Sequence, residues 1–73
     1  MANLGQVVAM RIRQERVRLN WTQEELADKT DLSVRYIGQL EREKASPTVN
    51  VLSKLAKAFG LDPCDLLRQR PKG

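Results

Sequence analysis

Histidine is absent from the 73 residues, and Cys64 is the sole cysteine. Without imidazoles or paired thiols no Cys/His set can hold zinc, and no internal disulfide can close. A Gly-rich phosphate loop is missing, as is a nucleophile beside a base, so no enzyme, metal or cofactor is expected. No apolar run is long enough for a signal peptide or a membrane span, and neither repeats nor low-complexity tracts occur. These absences lead to the expectation of a single small cytoplasmic domain with no membrane partner.

What the chain does contain is a series of helix starts. Thr22-Gln23-Glu24-Glu25 is a capping box: Thr22 can accept from a backbone N–H one turn in, Glu25 can reach back, and Trp21 can staple onto Leu26. Ser33 repeats the arrangement between Leu32 and Ile37, and Asp62 repeats it between Leu61 and Leu66 with Pro63 at the first helical position. Weaker starts lie at Asn3, where Gln6 completes a box, and at Thr48, ahead of the periodic apolar run Val49, Leu52, Leu55, Ala56, Phe59. Five short helices are predicted, an all-α class with a core over residues 4–67. Lys44-Ala45-Ser46-Pro47 is the only linker-like stretch, and residues 68–73 read as a frayed basic tail.

Residues 22–41 thus read as two short helices joined by a tight turn, the arrangement that places a helix in the major groove of DNA. In the second of these helices Ile37, Leu40 and Glu41 share one face, and the apolar pair must point at the core. At about 100° per residue, Arg35, Gln39 and Arg42 then point outward together. Arginine can bond bidentately to guanine and glutamine to adenine, and a cation further along can meet a phosphate. Ser33 and Val34 can add a hydroxyl contact and an apolar contact to a thymine methyl. Gly38, in mid-helix at a cost of about 1 kcal/mol relative to alanine, is expected to permit a close approach, either to DNA or to a neighbouring helix.

A net charge of +4 and a pI of about 9.7 favour an anionic partner. At this length one core is marginal, so a homodimer is expected. Leu61, Leu66 and Leu67, with Val49 or Val51 nearby, offer more apolar surface than so small a core is expected to absorb. Glu24 and Asp28 share a face at i, i+4, a spacing that repels slightly and so does not serve helix stability.

Thr22-Gln23-Glu24-Glu25-Leu26-Ala27, then Leu32-Ser33-Val34-Arg35-Tyr36-Ile37-Gly38-Gln39-Leu40-Glu41, then Ser46-Pro47-Thr48 and Leu55-Ala56-Lys57-Ala58-Phe59-Gly60-Leu61 resemble the XRE or Cro-type helix-turn-helix family. The resemblance covers residues 4–67 and implies a compact five-helix, lambda-repressor-like DNA-binding domain. It implies that Gln23 contacts a phosphate and buttresses the recognition helix, that Arg35 and Gln39 read bases, and that Arg42, Lys44 and Ser46 meet phosphates. Tyr36 is expected at the backbone or a base methyl. Arg16 and Glu41 match a partly buried ion pair joining the first helix to the recognition helix, a structural role.

The resemblance also implies dimers that pair through the last helix about a two-fold axis, where Cys64 lies, on a near-palindromic operator. In lambda-type repressors the positions of Glu24 and Asp28 touch RNA polymerase, which makes polymerase a further candidate partner. The short form resembles restriction-modification controller proteins and small phage or mobile-element repressors, regulators of their own promoters. An alternative from another class is a helix-turn-helix used to grip a protein, as in an antitoxin. Two departures stand out. Asp31 and Glu43 occupy positions where the family usually has glycine, and Glu43 blurs the end of the third helix.

Overall fold

Every helix begins at a residue that the chain marks for it. The computed structural model describes residues 3–68. Helix α1, Leu4–Arg18, follows Asn3, whose side chain accepts from the Gln6 N–H at 2.8 Å while Gln6 Oε1 accepts from the Asn3 N–H at 3.0 Å. Helix α2, Gln23–Thr30, has the same reciprocal pair between Thr22 and Glu25, at 3.0 and 3.1 Å. Helix α3, Val34–Glu41, is capped from one side only: Ser33 Oγ accepts from the Tyr36 N–H at 3.0 Å, and tyrosine lacks the carboxyl or amide oxygen with which Glu or Gln returns the bond. Thr48 caps α4, Val49–Phe59, through the Val51 N–H.

The helices also end alike. After each, one residue turns left-handed and the next N–H reaches back five residues, the geometry that satisfies the orphan carbonyls of a helix end. The left-handed residues are Asn20, Asp31, Glu43 and Gly60, with φ of 59°, 59°, 61° and 75°. The returning bonds are Trp21 to Arg16, Leu32 to Ala27, Lys44 to Gln39 and Leu61 to Ala56, all between 2.7 and 3.0 Å. Only α4 uses glycine there. The end of α3 is therefore sharp, with Glu43 carrying the strain that glycine would avoid.

The fifth expected helix is a correction. Pro63–Leu67 forms a single 3-10 turn, so the described residues hold four α-helices. Asp62 and Asp65 do close a reciprocal cap. The Asp65 carbonyl accepts from the Arg68 N–H at 3.4 Å, the i to i+3 bond of a 3-10 turn, and from Arg11 Nε of α1 at 3.1 Å. Arg68 then runs extended and pairs with the Asp65 carboxylate. Residues 69–73 of the expected tail lie outside the described residues.

The core is shared by every element: Val8 and Ile12 from α1, Leu26 and Ala27 from α2, Ile37 and Leu40 from α3, Leu55, Ala56 and Phe59 from α4, and Leu66 from the 3-10 turn. Trp21 closes one edge by stacking on Phe59, ring centroids 6.0 Å apart, and Lys29 Nζ lies over the Trp21 ring, 4.9 Å from its centroid. Leu66 is wholly buried, which corrects its expected place on a dimer surface. The turn exists to seat this leucine against α1 and α4, so its apolar area is already used. Beside it, Arg11 and Glu15 form a buried pair at 3.1 Å, and Arg18 bonds the same carboxylate. Among the described residues no helix is long and apolar enough to cross a membrane.

Candidate nucleic-acid interface

Helix α3 is held by its apolar stripe, and that stripe decides what it shows to solvent. Ile37 and Leu40 are buried against α1 and α2, which leaves Arg35 and Arg42 exposed and Gln39 half-buried on the outer side. Val34, at the helix start, is 40% exposed. Tyr36 lies on a flank with its ring partly packed on the core, so only part of it is available to a ligand. The Ser33 hydroxyl is engaged as the α3 cap, leaving its hydrogen as the group free to bond outward. Lys44 and Ser46, just past the helix end, are exposed.

The start of α2 is tied to the end of α3 through one carboxylate. Glu41 accepts from Arg16 Nε at 2.7 Å and Nη2 at 3.1 Å, a bidentate pair. Gln23 Nε2 donates to the same carboxylate at 3.1 Å, and Arg16 Nη1 donates to the Trp21 carbonyl at 2.9 Å. The Arg16 and Glu41 side chains are 16% and 6% exposed. The arginine–glutamate pair named from the sequence is thus present, and Gln23 joins it. This junction pins three helices and sets the angle between α2 and α3.

Cations predominate on this surface. Arg35, Arg42 and Lys44 make no ion pair among the described residues, whereas the Glu41 charge is met by Arg16. Exposed cations without partners leave the field free to act on an approaching anion. Glu41 and Glu43 flank Arg42 in the chain, and of the two it is Glu43 that is exposed. Glu24 and Asp28 are both exposed on α2. Of the five expected dimer residues, Val49 is 78% and Leu67 38% exposed, while Val51 and Leu61 are half-buried against the core. Among the described residues no group of three or more His, Cys, Asp or Glu side chains is placed to hold a metal. The cleft between α2 and α4, lined by Lys29, Thr30, Asp31, Lys54, Lys57 and Ala58, shares no residue with the α3 surface.

One relationship on this surface escaped the sequence. Gly38 does not admit a neighbouring helix; the atoms nearest to the position of its missing Cβ belong to the Arg42 guanidinium. The i, i+4 spacing was a usable signal, but the direction of a long side chain is not written in spacing. The Arg11–Glu15 pair was likewise visible as an i, i+4 pair, and its burial was not.

This arrangement of two short helices, a left-handed turn and an outward cationic face matches a known family: the helix-turn-helix model aligns with residues 12–66. The chain belongs to the XRE-type helix-turn-helix family. Its members are DNA-binding transcriptional regulators, not enzymes. Among curated XRE-type relatives, the transcriptional regulator SutR of Escherichia coli K12 is 38% identical over 84% of this chain, which spans 34% of SutR. Control protein C.BamHI of Bacillus amyloliquefaciens is 35% identical over 89% of this chain and 82% of its own length. Among solved XRE-type structures, the hypothetical transcription factor NHTF from Neisseria superposes with a TM-score of 0.88 at 33% identity, covering 92% of this chain and 77% of NHTF. The restriction-modification controller protein C.Esp1396I, bound to a 25 base pair operator site, superposes with a TM-score of 0.79 at 27% identity over 90% of this chain and 87% of its own.

Proposed function

We propose that this protein is a sequence-specific regulator of transcription that binds near-palindromic duplex operators as a homodimer, with α3 in the major groove. The observation that carries the proposal is the outward face of α3, where Arg35, Gln39 and Arg42 stand together without ion-pair partners on a helix locked at both ends. Arg35 and Gln39 act as base readers, and Ser33 and Val34 touch the first bases of the half-site. Lys44 and Ser46 meet phosphates beyond the helix. Gln23 spends one amide N–H on Glu41 and can aim the other at a phosphate at the positive end of α2. Operator binding by C.Esp1396I, on the same fold, supports this placement.

Val49 and Leu67, with Val51 and Leu61 beside them, form the apolar surface on which a second copy pairs. A two-fold dimer reads half-sites about 34 Å apart. Likeness to controller proteins supports autoregulation, in which dimers filling successive sites near the protein's own promoter first activate and then repress. The exposed pair Glu24 and Asp28 contacts RNA polymerase in the activating state. A Glu24→Lys variant should keep its operator affinity and lose activation in a transcription assay; unchanged activation would remove the polymerase contact.

Selection of binding sites from random duplex DNA, run with wild type and Gln39→Ala at physiological salt, tests the central claim. The expected result is a two-fold symmetric motif that changes at one position per half-site in Gln39→Ala. Absence of any enriched motif would refute DNA reading and bring a protein-gripping, antitoxin-like role forward.

A further inference from the structure

Gly38 occupies the middle of the eight-residue α3, where glycine is the poorest helix former after proline. No backbone requirement explains it, because its φ is not positive. What lies against it is specific. A Cβ added there would sit 3.1 Å from Arg42 Nη1, 3.6 Å from Nη2 and 3.7 Å from Cζ. The Arg42 side chain therefore folds back by one turn, about 6 Å along the axis, and brings its guanidinium to the level of Gly38. Its donors meet no acceptor among the described residues.

This position differs from the one a phosphate clamp would take. A clamp at the end of α3 would extend toward Lys44 and Ser46, which follow the helix in the chain. Seated over Gly38, the planar fork lies instead alongside the helix that carries Arg35 and Gln39. An unbonded guanidinium lying against α3, with its donors free, is suited to the paired acceptors of guanine.

We propose that Gly38 determines specificity through Arg42: the absent side chain seats the guanidinium against α3, so that Arg42 reads a guanine in each half-site and does not clamp a phosphate. This inference rests on α3 being the DNA-reading helix. Gly38 touches no base in it and is a positioning residue.

The test is Gly38→Ala. A methyl group there meets only the free end of a flexible side chain, so the fold accommodates it and the better helix former raises the melting temperature. In site selection, Gly38→Ala and Arg42→Ala should both lose a guanine preference at the same step of each half-site. The loss should be roughly ten-fold or more, and the double variant should lose no more than either single one. A uniform loss on all sequences in Arg42→Ala, with a shallower salt dependence, would make Arg42 a phosphate contact and overturn the inference. So would an unchanged motif in Gly38→Ala. Absence of any motif for wild type would instead overturn the DNA-reading proposal on which this one rests.

Discussion

Replacing Arg16 with methionine removes three hydrogen bonds at once, two to the Glu41 carboxylate and one to the Trp21 carbonyl. Glu41, 6% exposed, then keeps only the Gln23 amide. Breaking a buried ion pair by removing one partner costs about 3–5 kcal/mol, mostly through the charge left behind. Because the Arg16 side chain is 16% exposed, water can partly replace it, and the lower end of that range, about 3 kcal/mol, applies. In a domain of this size that lowers the melting temperature by roughly 12–24 °C. Removing both charges gives a different result. Arg16→Met with Glu41→Leu leaves no orphaned carboxylate, and most of the lost stability should return.

Urea denaturation of the wild type, both single variants and the double variant, at one protein concentration, yields the coupling energy directly. The same proteins titrated with operator DNA separate folding from function. The double variant should fold yet bind weakly, since Gln23 has lost the carboxylate that aims its amide. A loss below about 1 kcal/mol in Arg16→Met would show that the pair behaves as an ordinary surface contact. A double variant as unstable as the single one would locate the loss in side-chain packing, not in the stranded charge.

Glu43→Gly should raise stability by about 0.5–1 kcal/mol, because glycine takes the left-handed conformation at φ 61° without a Cβ clash. It should also tighten DNA binding at low salt by removing a carboxylate beside Arg42 and Lys44; a destabilised variant would contradict the strain at this helix end. Lys44→Ala should weaken binding to all sequences alike and reduce the slope of log affinity against log salt by about one unit, and a sequence-dependent loss would argue against a phosphate contact. Leu66 and its neighbour Leu67 should separate cleanly. Leu66→Ala opens the core and costs about 2–5 kcal/mol in a denaturation curve. Leu67→Asp should leave the fold intact and shift sedimentation toward monomer; an unaltered dimer would place the interface elsewhere.

Helix starts were legible one residue at a time, because a cap is a local contract between a side chain and a backbone N–H within one turn. Asn3, Thr22, Ser33, Thr48 and Asp62 each cap the segment that follows, although Ser33 does so from one side only and Asp62 opens a 3-10 turn where a fifth helix was expected. The outward face of α3 was legible for a similar reason: once Ile37 and Leu40 turn inward, helical geometry fixes where Arg35, Gln39 and Arg42 must go. Asp31 and Glu43 could be flagged as departures, and both do take the left-handed turn. Family resemblance, more than spacing, pointed to the union of Arg16 and Glu41, since the two are 25 residues apart in the chain.

Other features were settled only by three-dimensional packing. Leu66 and Leu67 are adjacent and identical in chemistry, yet one is sealed in the core and the other is 38% exposed, a choice made by where α1 and α4 leave a hole. The Asp65 carbonyl of the last element, a 3-10 turn, accepts from the Arg68 N–H and also from Arg11 of α1, a partner 54 residues away that no local pattern announces. Gly38 is the same case in miniature. The chain shows that a side chain is missing, and only the fold shows that Arg42 fills the space. Local hydrogen-bonding chemistry and helical period are properties of the sequence alone, whereas the division of apolar side chains between core and surface, and the path of a long flexible one, depend on which atoms the rest of the chain brings alongside.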